Sequence, residues 1–216
     1  MPEERMTTAE RWPDRLADLA AQLPAPLDAL IDAMIAIVAG RPGQASAALA
    51  RVAEYGVSTQ VVDDLVEATV LAFGVSRWSI AGRTALSEVH VTPADEADTR
   101  PLDERLSQHF AATQDTVPEA IGDLVKRLPA LGELYLDTRQ SLFADATGDP
   151  ALRELFLALV SARAGFVPGG QRHLARARSL GMPVETLRTA LTAVVLVEGT
   201  AGWEAYGRAL WETPDD

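Results

Sequence analysis

The chain has 216 residues, in which 19 Lys and Arg face 31 Asp and Glu, for a formal net charge of −12. At 48% hydrophobic residues, this length suits one large domain or two small ones with a sizeable core. The acidic balance argues against nucleic-acid binding, which depends on clustered Lys and Arg. The absence of cysteine excludes disulfides, thiolate metal sites and thiol nucleophiles. With three histidines, we expect no metal site.

Targeting and membrane signals are absent from the sequence pattern. The first residues, MPEERMTTAERWPDR, are charged and contain no apolar core of a signal peptide. No apolar run reaches the roughly 18 residues that a membrane-spanning helix needs. We therefore expect a cytoplasmic protein without membrane association.

The apolar residues predict helices along the chain. They recur at three- and four-residue spacing in the segments 27–38, 155–162 and 187–194. Glycines and prolines separate segments of ordinary helix length. Only residues 87–92 (SEVHVT) alternate as a strand does, and one such segment cannot make a sheet. The predicted fold class is all-α.

The chain also contains an internal repeat. Residues 29–86 align without a gap with 154–211, at an offset of 125 positions, and 15 of the 58 pairs are identical. Identical residues at position-sensitive sites are the pairs Gly40/Gly165, Gly56/Gly181, Gly74/Gly199, Gly82/Gly207 and Trp78/Trp203. Since glycines often end helices by tolerating positive φ, shared glycines predict shared turns.

The repeat predicts two tandem, pseudo-symmetric helical units. In each copy one helix ends at the first shared glycine, a second helix ends at the second glycine, and a long apolar third helix reaches the third. The acidic stretch 87–115 is the expected junction, and we expect domains over 1–100 and 101–216, with the site in the second.

Three aligned positions differ in a way that suggests chemistry. Glu154 aligns with Ala29, His173 with Ala48, and Glu198 with Phe73. Histidine titrates near neutral pH, and a carboxylate in apolar surroundings needs a partner or a raised pKa, so both residue types suit proton transfer. We therefore take Glu154, His173 and Glu198 as candidate catalytic residues, and we expect His173 within hydrogen-bond reach of Glu154.

Structural roles for these residues remain open at the sequence level. Glu154 lies near a helix start, where a carboxylate favours the helix dipole. His173 follows an arginine and could be a surface residue, and Glu198 could reach solvent at its helix end. Arg176 lies one helical turn after His173 and could bind a substrate carboxylate, but Arg51 at the equivalent position favours a structural role.

The remaining carboxylate pairs have the pattern of solvated faces or tails. They are Glu3-Glu4, Asp63-Asp64, Asp95-Glu96 and Asp215-Asp216. We assign them no functional role from the sequence.

The second copy, RELFLALVSARAGFVPGGQRHLARARSLGMPVETLRTAL, resembles the carboxymuconolactone decarboxylase and alkylhydroperoxidase-like superfamily. The resemblance lies in R-E-L, an Ala/Gly helix end, a His-bearing helix and a Gly before the next helix. It implies an all-helical fold, an active site at Glu154 and His173, and a ring-shaped or dimeric homo-oligomer; tandem copies also occur in the family.

The chain departs from both branches of that family. The peroxidase branch has C-x-x-C before the histidine, at positions that are Phe166 and Gly169 here, so thiol peroxidase chemistry is excluded. The decarboxylase branch typically has R-W-x-E there, and those substrate-contacting polar residues are missing.

The function expected from these observations is cofactor-free acid–base chemistry on a small, cyclic or lactone-like metabolite, of decarboxylase, lyase or isomerase type. His173 shuttles the proton, Glu154 orients it, and Glu198 is a second carboxylate. The expected substrate pocket is lined by Phe166, Phe156, Val167 and Trp203, with Arg176 as a substrate-binding residue. The alternative is an inactive homologue that binds a small ligand or assists assembly. Convergence of the three candidate catalytic residues in one pocket favours the enzyme.

Overall fold

The computed structural model describes residues 25–74, 98–113, 116–144 and 149–213. All regular secondary structure in these ranges is helical, so the predicted all-α class is confirmed. The strand-like segment 87–92 lies outside the described residues. In the part of the chain that the structure describes, no helix has the length and apolarity to cross a membrane.

The described part of the first copy of the repeat forms three helices. They are α1 (Leu27–Val38), α2 (Pro42–Glu54) and α3 (Thr59–Phe73). Proline begins α2, where its missing N–H costs no helical hydrogen bond. The side chain of Ser58 caps α3 by accepting a hydrogen bond from the backbone N–H of Val61 at 3.5 Å.

The second copy forms three helices at corresponding positions. They are α7 (Pro150–Arg163), α8 (Val167–Ser179) and α9 (Val184–Glu198). The last two begin and end 125 residues after α2 and α3, as the alignment predicts. After α9 the chain continues through α10 (Thr200–Gly202), a π-helical turn (Trp203–Gly207) and α11 (Arg208–Trp211). The equivalent residues 75–86 lie outside the described ranges.

The shared glycines end the helices as predicted. The glycines with positive φ in the described residues are Gly40, Gly56, Gly74, Gly165, Gly181 and Gly199, which are three aligned pairs. Their φ values lie between 68° and 92°, a region that costs an L side chain energy. The repeat in the sequence therefore reflects a repeat of backbone conformation.

The two copies pack on each other reciprocally. Within each copy the first helix packs on the second, α1 on α2 and α7 on α8. Between copies, α3 packs on α7, and α9 packs on α1. Because the third helix of each copy covers the first helix of the other, both copies contribute to one core.

The described residues divide into two compact units, and the division differs from the expected boundary at residue 100. Both copies of the repeat belong to one unit, through residues 25–74 and 149–213. Residues 98–113 and 116–144 form the other. The reciprocal packing of α3 and α9 explains why the two copies do not separate into two domains.

The second unit contains three helices. They are α4 (Leu102–Thr113), α5 (Glu119–Arg127) and α6 (Pro129–Ala144), so part of the expected junction is helical. Leu106, Phe110, Val125 and Leu136 form its core. Arg139 is buried there, with its guanidinium carbon 4.3 Å from the centroid of the Phe110 ring.

Candidate functional site

Glu154 on α7 and His173 on α8 form a buried pair. The Nδ1 atom of His173 lies 2.8 Å from Oε2 of Glu154. The side chains are 9% and 6% exposed, respectively. The expected hydrogen bond between the two residues is therefore present, and the surface role considered for His173 does not hold.

Close packing of α7 and α8 allows this contact. A Cβ atom at Gly170 would lie 2.7 Å from the carbonyl oxygen of Ala158 and 2.8 Å from the Cβ of Ala162. Such distances are too short, so a larger residue at this position requires the helices to move apart. Gly170 therefore brings α8 close enough to α7 for the short side chain of His173 to meet Glu154.

The pair has the arrangement of a general base with an orienting carboxylate. When Glu154 is ionised it can only accept a hydrogen bond, and Nδ1 of His173 is then the donor across the 2.8 Å contact. In neutral imidazole this tautomer places the basic lone pair on Nε2. The carboxylate also stabilises the imidazolium that forms when Nε2 takes a proton.

A second buried charge pair joins the two copies. Nε of Arg153 on α7 lies 3.7 Å from Oδ2 of Asp64 on α3, and the side chains are 6% and 4% exposed. Gln60 donates from Nε2 to Oδ1 of Asp64 at 3.0 Å. Burial, and then the charge of Asp64, raise the pKa of Asp63. The expectation that Asp63 and Asp64 form a solvated face is therefore wrong for Asp64.

Glu198 has other partners. Its Oε1 accepts hydrogen bonds from Arg163, with Nε at 2.7 Å and Nη2 at 2.6 Å. Its Oε2 accepts a hydrogen bond from the hydroxyl of Tyr206 at 2.7 Å. Burial, and then the hydrogen bond to Glu198, raise the pKa of Tyr206 well above its ordinary value. Glu198 thus holds the α9 end and the π-helical turn and does not join Glu154 and His173, so the expected convergence of the three residues in one pocket is not found.

Phe166 covers the first turn of α8. A Cβ atom at Gly169 would lie 2.2 Å from Cδ1 and Cε1 of the Phe166 ring. The ring is 44% exposed, and the guanidinium carbon of Arg172 lies 5.4 Å from its centroid. Phe166 and Gly169 thus contact each other, one turn before His173, and the ring forms an outer cover over this turn.

The other expected pocket residues are dispersed. Phe156 is fully buried, Val167 and Trp203 are half-buried, and Arg176 is exposed on α8. The structure therefore does not bring Phe156 to an open surface beside Phe166.

A pocket of about 470 Å³ lies elsewhere in the same unit. Its lining comes from the starts of α1 and α7, the turn between α8 and α9, and the first turns of α9. The lining residues are Ala25, Pro26, Leu27, Leu30, Asp149, Ala151, Leu152, Leu180, Gly181, Met182, Pro183, Glu185, Thr186 and Thr189. None of the candidate site residues from the sequence lines this pocket. Across the described ranges, no three or more histidine, aspartate or glutamate residues form a group that could hold a metal ion.

Three residues with buried or half-buried polar contacts were not predicted from the sequence: Arg153, Asp64 and Tyr206. Arg153 precedes Glu154 directly and aligns with Asp28, so a reversal of charge marked this position. Asp64 aligns with Thr189 and precedes the apolar Leu65. Tyr206 has no such signal because its aligned position is Ala81, outside the described residues.

Comparison with known proteins gives no match for this chain among protein-family models, curated proteins or solved structures. The resemblance to the carboxymuconolactone decarboxylase and alkylhydroperoxidase-like superfamily therefore rests on the residues of the second copy.

Proposed function

We propose that this protein is a cofactor-free acid–base enzyme acting on a small organic, cyclic or lactone-like metabolite. The reaction is a proton transfer of the decarboxylase, lyase or isomerase type. The observation that supports it is the buried hydrogen bond between His173 and Glu154, in a copy whose counterpart has two alanines. A buried histidine held by a carboxylate is a common general acid–base arrangement.

In the proposed mechanism, His173 is the catalytic residue and Glu154 positions it. Glu154 holds the imidazole with Nδ1–H donated, so that Nε2 removes a proton from the substrate. The imidazolium then returns the proton to another atom of the substrate or, in a decarboxylation, to the carbon that keeps the electron pair of the broken C–C bond when CO₂ leaves. Each turnover therefore leaves the protein in its starting protonation state.

Glu198 has a structural role in this proposal. Its two carboxylate oxygens are engaged by Arg163 and Tyr206, so it is not assigned a proton-transfer step. Homo-oligomerisation, which the family resemblance implies, also belongs to the proposal. Exposed large apolar side chains, including Leu128 and Leu131, favour association.

The test is a substrate screen with the purified chain. Small cyclic carboxylic acids and lactones are incubated with wild type, and products are followed by NMR and by release of CO₂. We expect one compound class to be converted by wild type and not by His173→Ala or Glu154→Ala. Full conversion by His173→Ala contradicts the proposal.

The second candidate function is ligand binding without turnover, and the pocket of about 470 Å³ favours it. Its volume is in the range of small-molecule sites, and Leu27, Leu30, Leu152 and Met182 give it an apolar lining. In this case the screen finds ligands that bind unchanged. Their binding then survives His173→Ala and is lost when the pocket is filled, as in Thr189→Phe.

A further inference from the structure

The same turn of α8 that contains His173 continues to Arg176. Residues spaced by three and four positions share one face of a helix, so Gly169, His173 and Arg176 form one stripe. The aligned stripe on α2 of the first copy is Gln44, Ala48 and Arg51.

In the first copy a carboxylate joins the two ends of this stripe. Asp32 on α1 accepts a hydrogen bond from Nε2 of Gln44 at 2.8 Å through Oδ1. Its Oδ2 accepts one from Nη2 of Arg51 at 2.6 Å. Asp32 therefore bridges Gln44 and Arg51, which lie on either side of Ala48. In the first copy the partner of the arginine is thus a carboxylate.

The second copy lacks that bridge. Asp32 aligns with Leu157, and Gln44 aligns with Gly169, so neither the acceptor nor the second donor is present. The arginine remains, as Arg176. The structural role that Arg51 suggested for Arg176 therefore does not transfer, since the acidic partner that defines it has been replaced by a buried leucine.

Other arginines of the second copy are already engaged. Arg163 binds Glu198, and Arg188 pairs with Glu185. Arg178 donates to the backbone carbonyl of Thr213. Arg176 is exposed. Within the described residues, its guanidinium makes no ion pair, side-chain hydrogen bond or ring contact.

We infer that Arg176 binds the carboxylate of the substrate, which makes the substrate class of the proposed enzyme a small organic anion. The ligand carboxylate takes the role that Asp32 has for Arg51 in the first copy. Because Arg176 lies one helical turn after His173, this contact holds the ligand on the same face of α8 as His173. An anionic ligand also needs such a cation, since the whole chain has a net charge of −12.

The inference rests on the proposed function for its meaning, but its test measures binding and not turnover. Benzoate is the anionic probe and benzamide is its uncharged match, and both are titrated into the full-length chain by calorimetry at low salt. We expect wild type to prefer benzoate. Arg176→Gln should lower benzoate affinity about tenfold or more, because a charge-assisted hydrogen bond contributes that much. Arg176→Lys should retain part of the affinity.

Two variants of the aligned positions make the test specific. Arg51→Gln removes the equivalent arginine of the first copy and should leave benzoate affinity unchanged. Leu157→Asp restores the acidic partner of the first copy and should weaken benzoate binding as Arg176→Gln does, with Arg176 still present. Circular dichroism and thermal unfolding check that each variant is folded. If Leu157→Asp does not fold, the comparison of wild type with Arg176→Gln decides the test.

The outcomes are distinct. No preference for benzoate in wild type, or equal affinity in wild type and Arg176→Gln, overturns the inference. An equal loss in Arg51→Gln does so too, because binding is then not specific to the second copy. Benzoate binding that depends on Arg176 without any turnover in the substrate screen supports the inference and contradicts the proposed enzyme.

Discussion

The two copies of the repeat have the same helix ends and different interiors. Where the first copy has Ala29 and Ala48, the second has a hydrogen-bonded glutamate and histidine. Likewise Val38 and Phe73 align with Arg163 and Glu198, which form an ion pair. These charged residues of the second copy thus occur as contacting pairs, which is how a core accommodates charge without leaving it unpartnered.

The comparison separates fold from function. Helix ends depend on backbone conformation and are shared, whereas Glu154 and His173 are not needed to build the helices, since α1 and α2 form with alanines. A histidine that the fold does not require is a better candidate for chemistry than one that both copies share.

The largest expected effect is on activity, from His173→Ala. Without the imidazole, turnover of the substrate found in the screen should fall about 10²- to 10⁴-fold, the usual contribution of a general acid–base residue. Helicity should be unchanged, because Ala48 occupies the same position in α2. Steady-state kinetics and far-UV circular dichroism measure the two effects.

The matched control is Ala48→His in the first copy. It adds an imidazole opposite Ala29, in a copy where the carboxylate of Asp32 is already held by Gln44 and Arg51, so it should neither raise turnover nor rescue His173→Ala. A rescue would show that the copies are chemically equivalent, contrary to the comparison.

The next effect is on stability, from Gly170→Ala. The added methyl meets the backbone of Ala158 and the side chain of Ala162, so α7 and α8 must separate. We expect a loss of about 1–3 kcal/mol in the free energy of unfolding. Chemical denaturation measures it.

Gly43→Ala is the control for this loss. A Cβ at Gly43 meets nothing within 4 Å, so the variant should be as stable as wild type or slightly more stable. If both glycine variants lose equally, close packing at Gly170 is not the cause.

A third effect is the pH dependence of stability that comes from His109, which lies outside the repeat. His109 in α4 lies near Arg139, and burial, followed by that positive charge, lowers its pKa from 6.5 to about 4. The unfolded chain therefore takes up a proton at higher pH than the folded one. The stability contributed by neutral His109 is complete above pH 6.5 and declines as the pH falls towards 4.

Denaturation of wild type and His109→Gln near pH 7 and near pH 5 measures this contribution. The loss of stability between the two conditions should be smaller in the variant, because glutamine takes up no proton. Equal losses in both proteins contradict the assignment.

The smallest expected effect comes from the half-buried pair of Arg163 and Glu198. Glu198→Phe alone leaves Arg163 without its carboxylate and should cost about 1 kcal/mol. Adding Arg163→Val restores both residues of the first copy and should recover part of that loss. A double-mutant cycle measures the coupling free energy between the two substitutions, and a value of zero means that the two residues do not depend on each other.

Much of this architecture could be predicted from the sequence, for a physical reason. The shared glycines occupy turns with positive φ, which few other residues tolerate, so their register predicts helix ends 125 positions apart. The contact between Glu154 and His173 was also predictable, because both differ from alanine in the same copy.

The partners of Glu198 and the burial of Asp64 were not predictable in the same way. Arg163 lies 35 residues before Glu198, and periodicity within one helix says nothing about which side chains meet across helices. Asp64 is buried because α3 packs on α7 of the other copy, a tertiary contact that changes a polar helix face into an interior one. Both outcomes depend on packing between distant segments.

The tautomer of the His173 imidazole shows whether Glu154 holds this residue as a general base, and measuring it needs no substrate. Two-dimensional ¹H–¹⁵N NMR of the side-chain nitrogens identifies the tautomer of neutral His173. The account predicts that the proton is on Nδ1 in wild type, because Glu154 accepts it, and that Glu154→Ala loses this preference. A wild-type His173 with its proton on Nε2 would contradict the account, since Nδ1 would then have no proton to donate to Glu154, and Nε2 could not serve as the base.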